Sequence, residues 1–466
     1  MNDEDLLDYL DRHHVDEVRT HATTLDGPGV GQYIHREKFF HCLPAGHVIS
    51  ARALEMDIYG APHTAFGHSE RPTNSGEVYL RPDLGTLISD GTDAKVGHII
   101  CDFTNAVGQP LKMCPRSTLK TMVQRLSEQN IYSLATCHLE FFLFRESFDQ
   151  LKQTDYCELT PLSANQPGGL SHIRNAFLVK PFMDEVIKRI EWKGIAWEAW
   201  NDEAGAGQIG LSLAPNDPVK MADTVVRVKQ VIYEVACDLN VSASFMPQVT
   251  QAGSPQSASS GMRIQHHLVD ANGESAFYDE SSIDKQSPLM KQWTAGNVAS
   301  MKSAISYLCP TINAYRRFQN ASGLAADTLS WLADSKRIAI KTRSDSLKTC
   351  RIEHHLVSSD ANPYLVLATI YAGGLAGIAG RLELAEQHQN LAQGLSCSQL
   401  DLPNTMQLAT DTLRQDDILN DAFGTEQVEY WAQTREHEWD TYQRNATENS
   451  HAQTSLWEFQ RYFESV

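Results

Sequence analysis

Two rhythms of hydrophobic and polar positions run along the 466-residue chain. Residues 1–20 read as a short polar helix. From about 21 to 110, short runs of Val, Ile, Phe and Tyr alternate with polar positions and are broken by Gly and Pro, as in LDGPGVGQYI, SGEVYLRPDLGTLI and AKVGHIICDF. That punctuation predicts a small sheet with hairpins. Pro115 then opens RSTLKTMVQRLSEQN, where Leu119, Met122, Val123 and Leu126 recur at helical spacing behind a first-turn proline. A domain boundary is expected near 110–116, dividing the chain into 1–112 and 113–466. Beyond it the pattern predicts a buried strand from Tyr132 to Phe144, helices from Asn175 to Glu191 and from Val219 to Asp238, and a strand pair around 195–214 between them. Strands from Val241 to Phe245 and from Gly261 to Leu268 follow. The C-terminal half reads as mostly helical, with a Gly-rich helical stretch at 364–380 and a polar, amphipathic last 60 residues. The class is α+β: a small β domain followed by a larger sheet-and-helix domain.

Composition narrows the function. Lys and Arg number 39 against 58 Asp and Glu, a formal charge of −19, which argues against a protein whose main work is holding nucleic acid or an anionic membrane. An anionic small molecule stays possible, because a pocket can hold a few Arg and Lys under an acidic surface. The nine cysteines are scattered without a C-x-x-C, so zinc-ribbon and thioredoxin readings have no support and reduced thiols are expected. The acidic start MNDEDLLDYLDRHHVDEV is no signal peptide, and 364–380 is too short for a membrane span; a cytoplasmic location is expected.

The candidate chemistry lies where polar groups recur at i, i+2 on strands, so that alternate side chains share a face. His138 and Glu140 do so in CHLEFFLF; Arg263, Gln265 and His267 in SGMRIQHHL; Arg351, Glu353 and His355 in RIEHHL. Glu203 precedes a Gly-rich turn and Gln208 starts the next strand. Arg316 and Arg317 come from PTINAYRRF, Lys336 and Lys341 from DSKRIAIKTR.

In this order the segments resemble the glutamine synthetase family, over about residues 20–380. The most specific pieces are L-E-F-F-L-F at 139–144, E-x-x-x-G-Q at 203–208, F-M-P at 245–247, S-G-M at 260–262, P-T-x-N-x-Y-x-R at 310–317, R-I-E at 351–353 and A-N-P-Y-L at 361–365. Pro82-Asp83, Thr86 and Pro115-Arg116 support them. The resemblance implies an N-terminal β-grasp domain and a catalytic domain whose sheet lines a bifunnel. It also implies a homo-oligomeric ring, decameric or dodecameric, with sites shared between subunits. The implied chemistry is ATP-dependent: a carboxylate, usually the γ-carboxylate of glutamate, is phosphorylated and an amine displaces phosphate, with Mg2+ or Mn2+ neutralising the gathered anions.

Carried over residue by residue, the resemblance is selective. Of three carboxylates expected at a first metal site, Glu140 and Glu203 are present and Gly210 stands at the third. At a second site only Glu353 remains, with His138 and Arg263 at the other two positions, and an arginine binds no cation. The implied metal set is therefore Glu140, Glu203, Glu353 and His138. Arg317, Arg351, Lys341 and His267 fall in catalytic positions; Lys336, Gln208 and Gln265 in nucleotide positions; Arg317, His355, Arg263 and Gly261 in substrate positions. Ala258-Ser259 replaces the N-G before S-G-M, Gln248 replaces the Lys after F-M-P, and GLAAD at 323–327 replaces the flap E-A-P. Magnesium-dependent ATP binding weaker than the family's norm is expected. Two readings stand: a divergent ligase joining glutamate to an amine other than ammonia, nearest the γ-glutamyl-amine or polyamine branch, or a site-eroded paralogue that binds, regulates or runs other chemistry from a His/Glu pocket.

Overall fold

The computed structural model describes residues 3–43, 45–63, 76–89, 95–163, 171–249, 259–319, 328–332, 338–384, 402–445 and 454–465. In chain order the N-terminal part holds α1 (Asp3–Arg12), β1 (Glu17–Thr23), β2 (Gly29–Val30), β3 (Tyr33–His35), α2 (Arg36–Cys42), β4 (His47–Ser50), β5 (Glu77–Pro82), β6 (Ile88–Ser89) and β7 (Val96–Thr104). The middle of the chain follows with α3 (Pro115–Ser127), β8 (Ile131–Phe144), α4 (Phe148–Gln153), α5 (Ile173–Trp192), β9 (Trp197–Asp202), β10 (Gln208–Leu213), α6 (Pro218–Asp238), β11 (Ser242–Ser244) and β12 (Met262–Asp270). The remainder comprises α7 (Pro288–Ala299), α8 (Met301–Leu308), α9 (Ile312–Gln319), β13 (Thr328–Leu332), β14 (Ile338–Arg343), β15 (Arg351–His354) and α10 (Pro363–Ala379). Last come α11 (Met406–Arg414), α12 (Asp417–Phe423), α13 (Thr425–Asn445) and α14 (Leu456–Tyr462).

The class is α+β, as the pattern predicts. Among the described residues, seven strands form the first sheet in the order β2-β1-β7-β5-β4, with β3 on β1 and β6 on β7. Eight of the described strands form the second, β13-β14-β15-β12-β8-β10-β9, with β11 on β8. Three details differ from the sequence reading. The opening helix ends at Arg12, and β1 begins at Glu17 after His14 takes a positive φ of 53°; Leu6 and Leu10 of that helix are fully buried, so its polarity is one-sided. The N-terminal segment also contains α2. The chain beyond β12 contributes three strands of the second sheet, which short apolar runs such as Ile338–Ile340 do not separate from helix by periodicity.

Two hydrophobic cores meet near the first residue of α3. One gathers Leu6, Val18, Phe39, Leu80 and Phe103 down to Cys114; the other runs from Met113 through β8, α6 and α10, with Leu25 from the β1–β2 hairpin. We propose 1–112 and 113–466 as the corresponding domains. The Gly-rich α10 is buried along almost its whole length and packs on α7, a core helix with apolar residues on every side. Among the described residues no helix is long and apolar enough to cross a membrane.

The junction carries a buried ion network. Arg116, 3% exposed, donates Nε and Nη2 to Asp223 at 2.8 Å each, Nη1 to Asp102 at 3.1 Å and Nη2 to Asp83 at 2.9 Å, while Tyr364 donates to Asp223 at 2.6 Å. Asp83 and Arg116 of the two short motifs are thus one contact, joining the end of β5 to α3. Arg116→Leu leaves buried carboxylates uncompensated, and the urea unfolding midpoint should report a loss of about 3–5 kcal/mol.

Candidate active site

The second sheet sets its polar side chains in rows, because residues directly opposite in paired strands share a face. On β8, His138 lies between Arg263 of β12 and Ser212 of β10; Glu140 lies opposite Gly210, which in turn faces Asn201 of β9. On the other side of β12, Gln265 is opposite Glu353, and Glu353 is opposite Lys341 of β14.

The first group is His138, Glu140 and Glu203. His138 Nε2 stands 3.1 Å from Glu203 Oε1 and 3.9 Å from Glu140 Oε1, and one donor atom from each residue falls within 4.8 Å of the others. Each is held from behind. His138 Nδ1 pairs with Ser212 Oγ at 2.8 Å, and Glu203 Oε1 accepts from Asn201 Nδ2 at 2.8 Å. Glu140 Oε2 accepts from the Gly261 backbone N–H at 2.8 Å and from Gln208 Nε2 at 3.2 Å, while Gln208 Oε1 accepts from Gly205 N–H. The Gly-rich turn before β10 therefore aims Gln208 at Glu140. Burial and the charge of Glu203 raise the Glu140 pKa. Burial also pushes Glu203 upward, but the hydrogen bonds from His138 and Asn201 outweigh it and hold Glu203 low. Two adjacent carboxyls with pKa values moved apart, beside an imidazole, form a ligand set for one divalent cation that also accepts nitrogen.

Gly210 explains the grouping. A Cβ there would lie 2.6 Å from Glu203 Oε1 and 2.6 Å from His138 Nε2. The sequence reading places His138 with Glu353; the structure instead fills the space beside Gly210 with the His138 ring and puts Glu353 in another group. There Glu353 Oε1 accepts from Arg351 Nε at 2.9 Å, and Oε2 lies 3.4 Å from His355 Nε2. Burial works against its charge, yet His355 and Arg351 together pull its pKa down to about 2. A carboxylate so engaged, paired with the Arg351 guanidinium and beside the His355 ring, does not fit a second metal ion.

Arg263 lies between the groups, and its charge lowers the pKa of both Glu203 and Glu353. Its Nε is buried and has no hydrogen-bond partner. Arg317, 5% exposed, donates Nη1 to the Leu356 carbonyl at 3.0 Å, while its Nε is likewise buried and unpartnered. Nη2 of Arg317 would lie 3.1 Å from a Cβ on Gly261, so the absence of a side chain there lets the guanidinium lie close to the backbone, and its charge acts on Glu140. Lys341 is buried opposite Glu353. His267 shares the face further along, opposite Leu134, its pKa lowered by burial. Lys336, Ala258 and the 323–327 segment lie outside the described residues. Arg316 is structural, donating Nε to Glu458 at 2.6 Å. His354 points to the opposite face and stacks on His266, ring centroids 5.3 Å apart. Trp192 is exposed, while Trp197 and Trp200 are partly buried at the edge of the core, with Trp197 Nε1 on Glu191.

Sequence reasoning missed Ser212 and Asn201. Both were within reach of the alternation rule: Ser212 is two residues after Gly210 on the same strand, and Asn201 is two before Glu203.

The sequence model of the family described as glutamine synthetase, catalytic domain, matches residues 112–461. The chain is 26% identical to a glutamate–isopropylamine ligase of a Pseudomonas species over 463 residues, covering 98% of this chain and 97% of the relative. It is 25% identical to the γ-glutamylethanolamide synthetase GlnA4 of Streptomyces coelicolor (84% and 80% covered) and 26% to the γ-glutamylputrescine synthetase PuuA of Escherichia coli (74% and 72%). Among solved structures it resembles a GmaS/ADP complex, with a TM-score of 0.82 at 19% identity and 98% of each chain covered. The glutamine synthetase of Plasmodium falciparum gives a TM-score of 0.80 at 18% identity, covering 96% of this chain and 98% of that one. With the family's sequence model spanning the whole second sheet and every residue of the polar centre, the chain belongs to the glutamine synthetase family.

Proposed function

We propose that the protein is an ATP-dependent ligase that joins the γ-carboxylate of glutamate to an amine other than ammonia. The observation that carries the reading is the ordered centre itself: Glu140 and Glu203 closed by His138, with Gln208, Gly261 and Arg317 placed around them. Relatives named for isopropylamine, ethanolamide and putrescine products support an organic amine.

In this reading a γ-carboxylate oxygen attacks the terminal phosphorus of ATP and the bond to the β–γ bridging oxygen breaks, releasing ADP. The amine nitrogen then attacks the acyl carbon, the C–O bond to phosphate breaks, and the nitrogen loses a proton. His138, Glu140 and Glu203 would hold Mg2+ or Mn2+, which supplies charge neutralisation when bound. Arg317 offers its unpartnered N–H to an anionic oxygen beside Glu140, and Lys341 and Arg351 extend the positive side across Glu353. His267, Gln265 and His355 line the same face toward the substrate. The ring assembly belongs to the same reading, and light scattering on the purified protein tests it.

Purified protein is expected to release phosphate from ATP and form a γ-glutamyl amide, detected by mass spectrometry, with isopropylamine, ethanolamine or putrescine in preference to ammonium. Glu203→Gln should lower turnover by at least about a hundredfold, since it removes charge stabilisation at the reacting centre. No amide from any amine, with no ADP or ATP bound in calorimetry, would establish the non-catalytic paralogue instead.

A further inference from the structure

We infer that Arg263 is the receptor for the terminal phosphoryl group, a fixed cation working beside a single divalent ion; the inference rests on the ligase reading above. Arg263 is the direct cross-strand neighbour of His138 and acts electrostatically on Glu203 on one side and Glu353 on the other. Nothing in the described residues accepts its buried Nε–H. A guanidinium carries its donors in a rigid plane matched to two oxygens of one phosphoryl group, and an unpaired buried N–H is costly unless a ligand completes it.

The local charge count agrees. Glu140, Glu203 and Glu353 bring three carboxylates to the face, while Arg263, Arg317, Lys341 and Arg351 bring four cations. Glu353 is already neutralised by Arg351, with the His355 ring beside it. What is left suits one divalent cation at His138, Glu140 and Glu203, and an anion landing between that cation and Arg263. An amino-acid carboxylate is the less suited occupant of this point, because it has a donor of its own in the buried, unpartnered Nε–H of Arg317, whose charge acts on Glu140.

The test pairs metal with nucleotide. Manganese binding is followed by electron paramagnetic resonance, and ADP and β,γ-methylene-ATP binding by calorimetry. Wild-type protein is expected to bind one Mn2+ per chain and to prefer the triphosphate analogue over ADP by about tenfold, the scale of a bidentate charged pair. Arg263→Gln should bring that preference within about twofold while tightening Mn2+ binding severalfold, because a like charge near the metal ligands is gone. The opposite signs separate this role from a general loss of structure. Arg263→Lys, which keeps the charge, should leave Mn2+ affinity near that of wild type and retain part of the preference. Two Mn2+ per chain, an unchanged preference in Arg263→Gln, or weakened glutamate binding in place of weakened triphosphate binding overturns the inference. Absence of nucleotide binding in the wild type overturns the ligase reading and this inference with it; ADP binding without discrimination at Arg263 overturns this inference alone.

Discussion

Gly210→Ala is expected to weaken divalent-cation binding by about 10- to 100-fold and to lower turnover in proportion, the range seen when the support behind a metal ligand is disturbed. The added methyl has nowhere to go. Its position is 2.6 Å from Glu203 Oε1 and 2.6 Å from both Cε1 and Nε2 of His138. Neither neighbour yields cheaply: Ser212 holds the far nitrogen of the ring, and Asn201 holds the carboxylate. Gly210→Asp should be worse, adding a third acid to a crowded space. His138→Ala combined with Gly210→Asp should recover binding, because removing the ring opens the space that the new carboxylate needs. That double variant exchanges a nitrogen donor for oxygen, so its preference should move from Mn2+ toward Mg2+. Calorimetric titration of both ions into the four proteins measures this. Wild-type Mn2+ affinity in Gly210→Ala would show that the contact between Gly210 and His138 does not govern the centre.

Steep acid destabilisation is the second expected result. His21, His47 and His354 have pKa values lowered to about 4, about 4 and about 3, chiefly by burial, and burial drives His266 well below its ordinary range. Neither nitrogen of His266 has a partner, so nothing in its surroundings favours the imidazolium. The sign follows from which state takes up protons first. Below about pH 6.5 the unfolded chain protonates these side chains while the native protein does not, so stability is lost as pH falls toward pH 4. Each histidine contributes a slope of about 1.4 kcal/mol per pH unit in that window, or about 5.5 kcal/mol per unit for the four. Glu140 and Asp360, whose pKa values burial raises, oppose this at the acid end. Urea midpoints measured from pH 7.5 to 5 should therefore fall sharply. His266→Phe/His354→Leu should flatten the slope by about half, provided the new side chains fill the same volume. An unchanged slope in that variant would assign the acid sensitivity to other groups.

Much of the architecture was legible from spacing. The helix behind Pro115 begins there and runs to Ser127, and the strand expected from Tyr132 to Phe144 is Ile131–Phe144. Both are long, strongly patterned segments buried on a defined face, where local preference and tertiary packing agree. β13 to β15 were hidden because short apolar runs fit a helix or a strand equally well, and their pairing partners lie far away in sequence. Residue types at i, i+2 also sufficed to select the face that carries Glu140, Arg263 and Glu353, since alternation in a strand is a property of the backbone alone.

How that face is divided is a different kind of information. Register across five strands, together with the space left by one missing side chain, joins His138 to Glu203 rather than to Glu353, and encloses Glu353 between Arg351 and His355. The excess of acid over base, 58 residues against 39, was readable at once, but it is a sum over the whole surface. Interactions between buried charges depend on separations of a few ångströms, and those are set only when distant strands pair. Composition and alternation therefore determined the fold class and the set of candidate residues. Tertiary pairing decided which of them act together, and placed four cations against three carboxylates at the centre of an acidic protein.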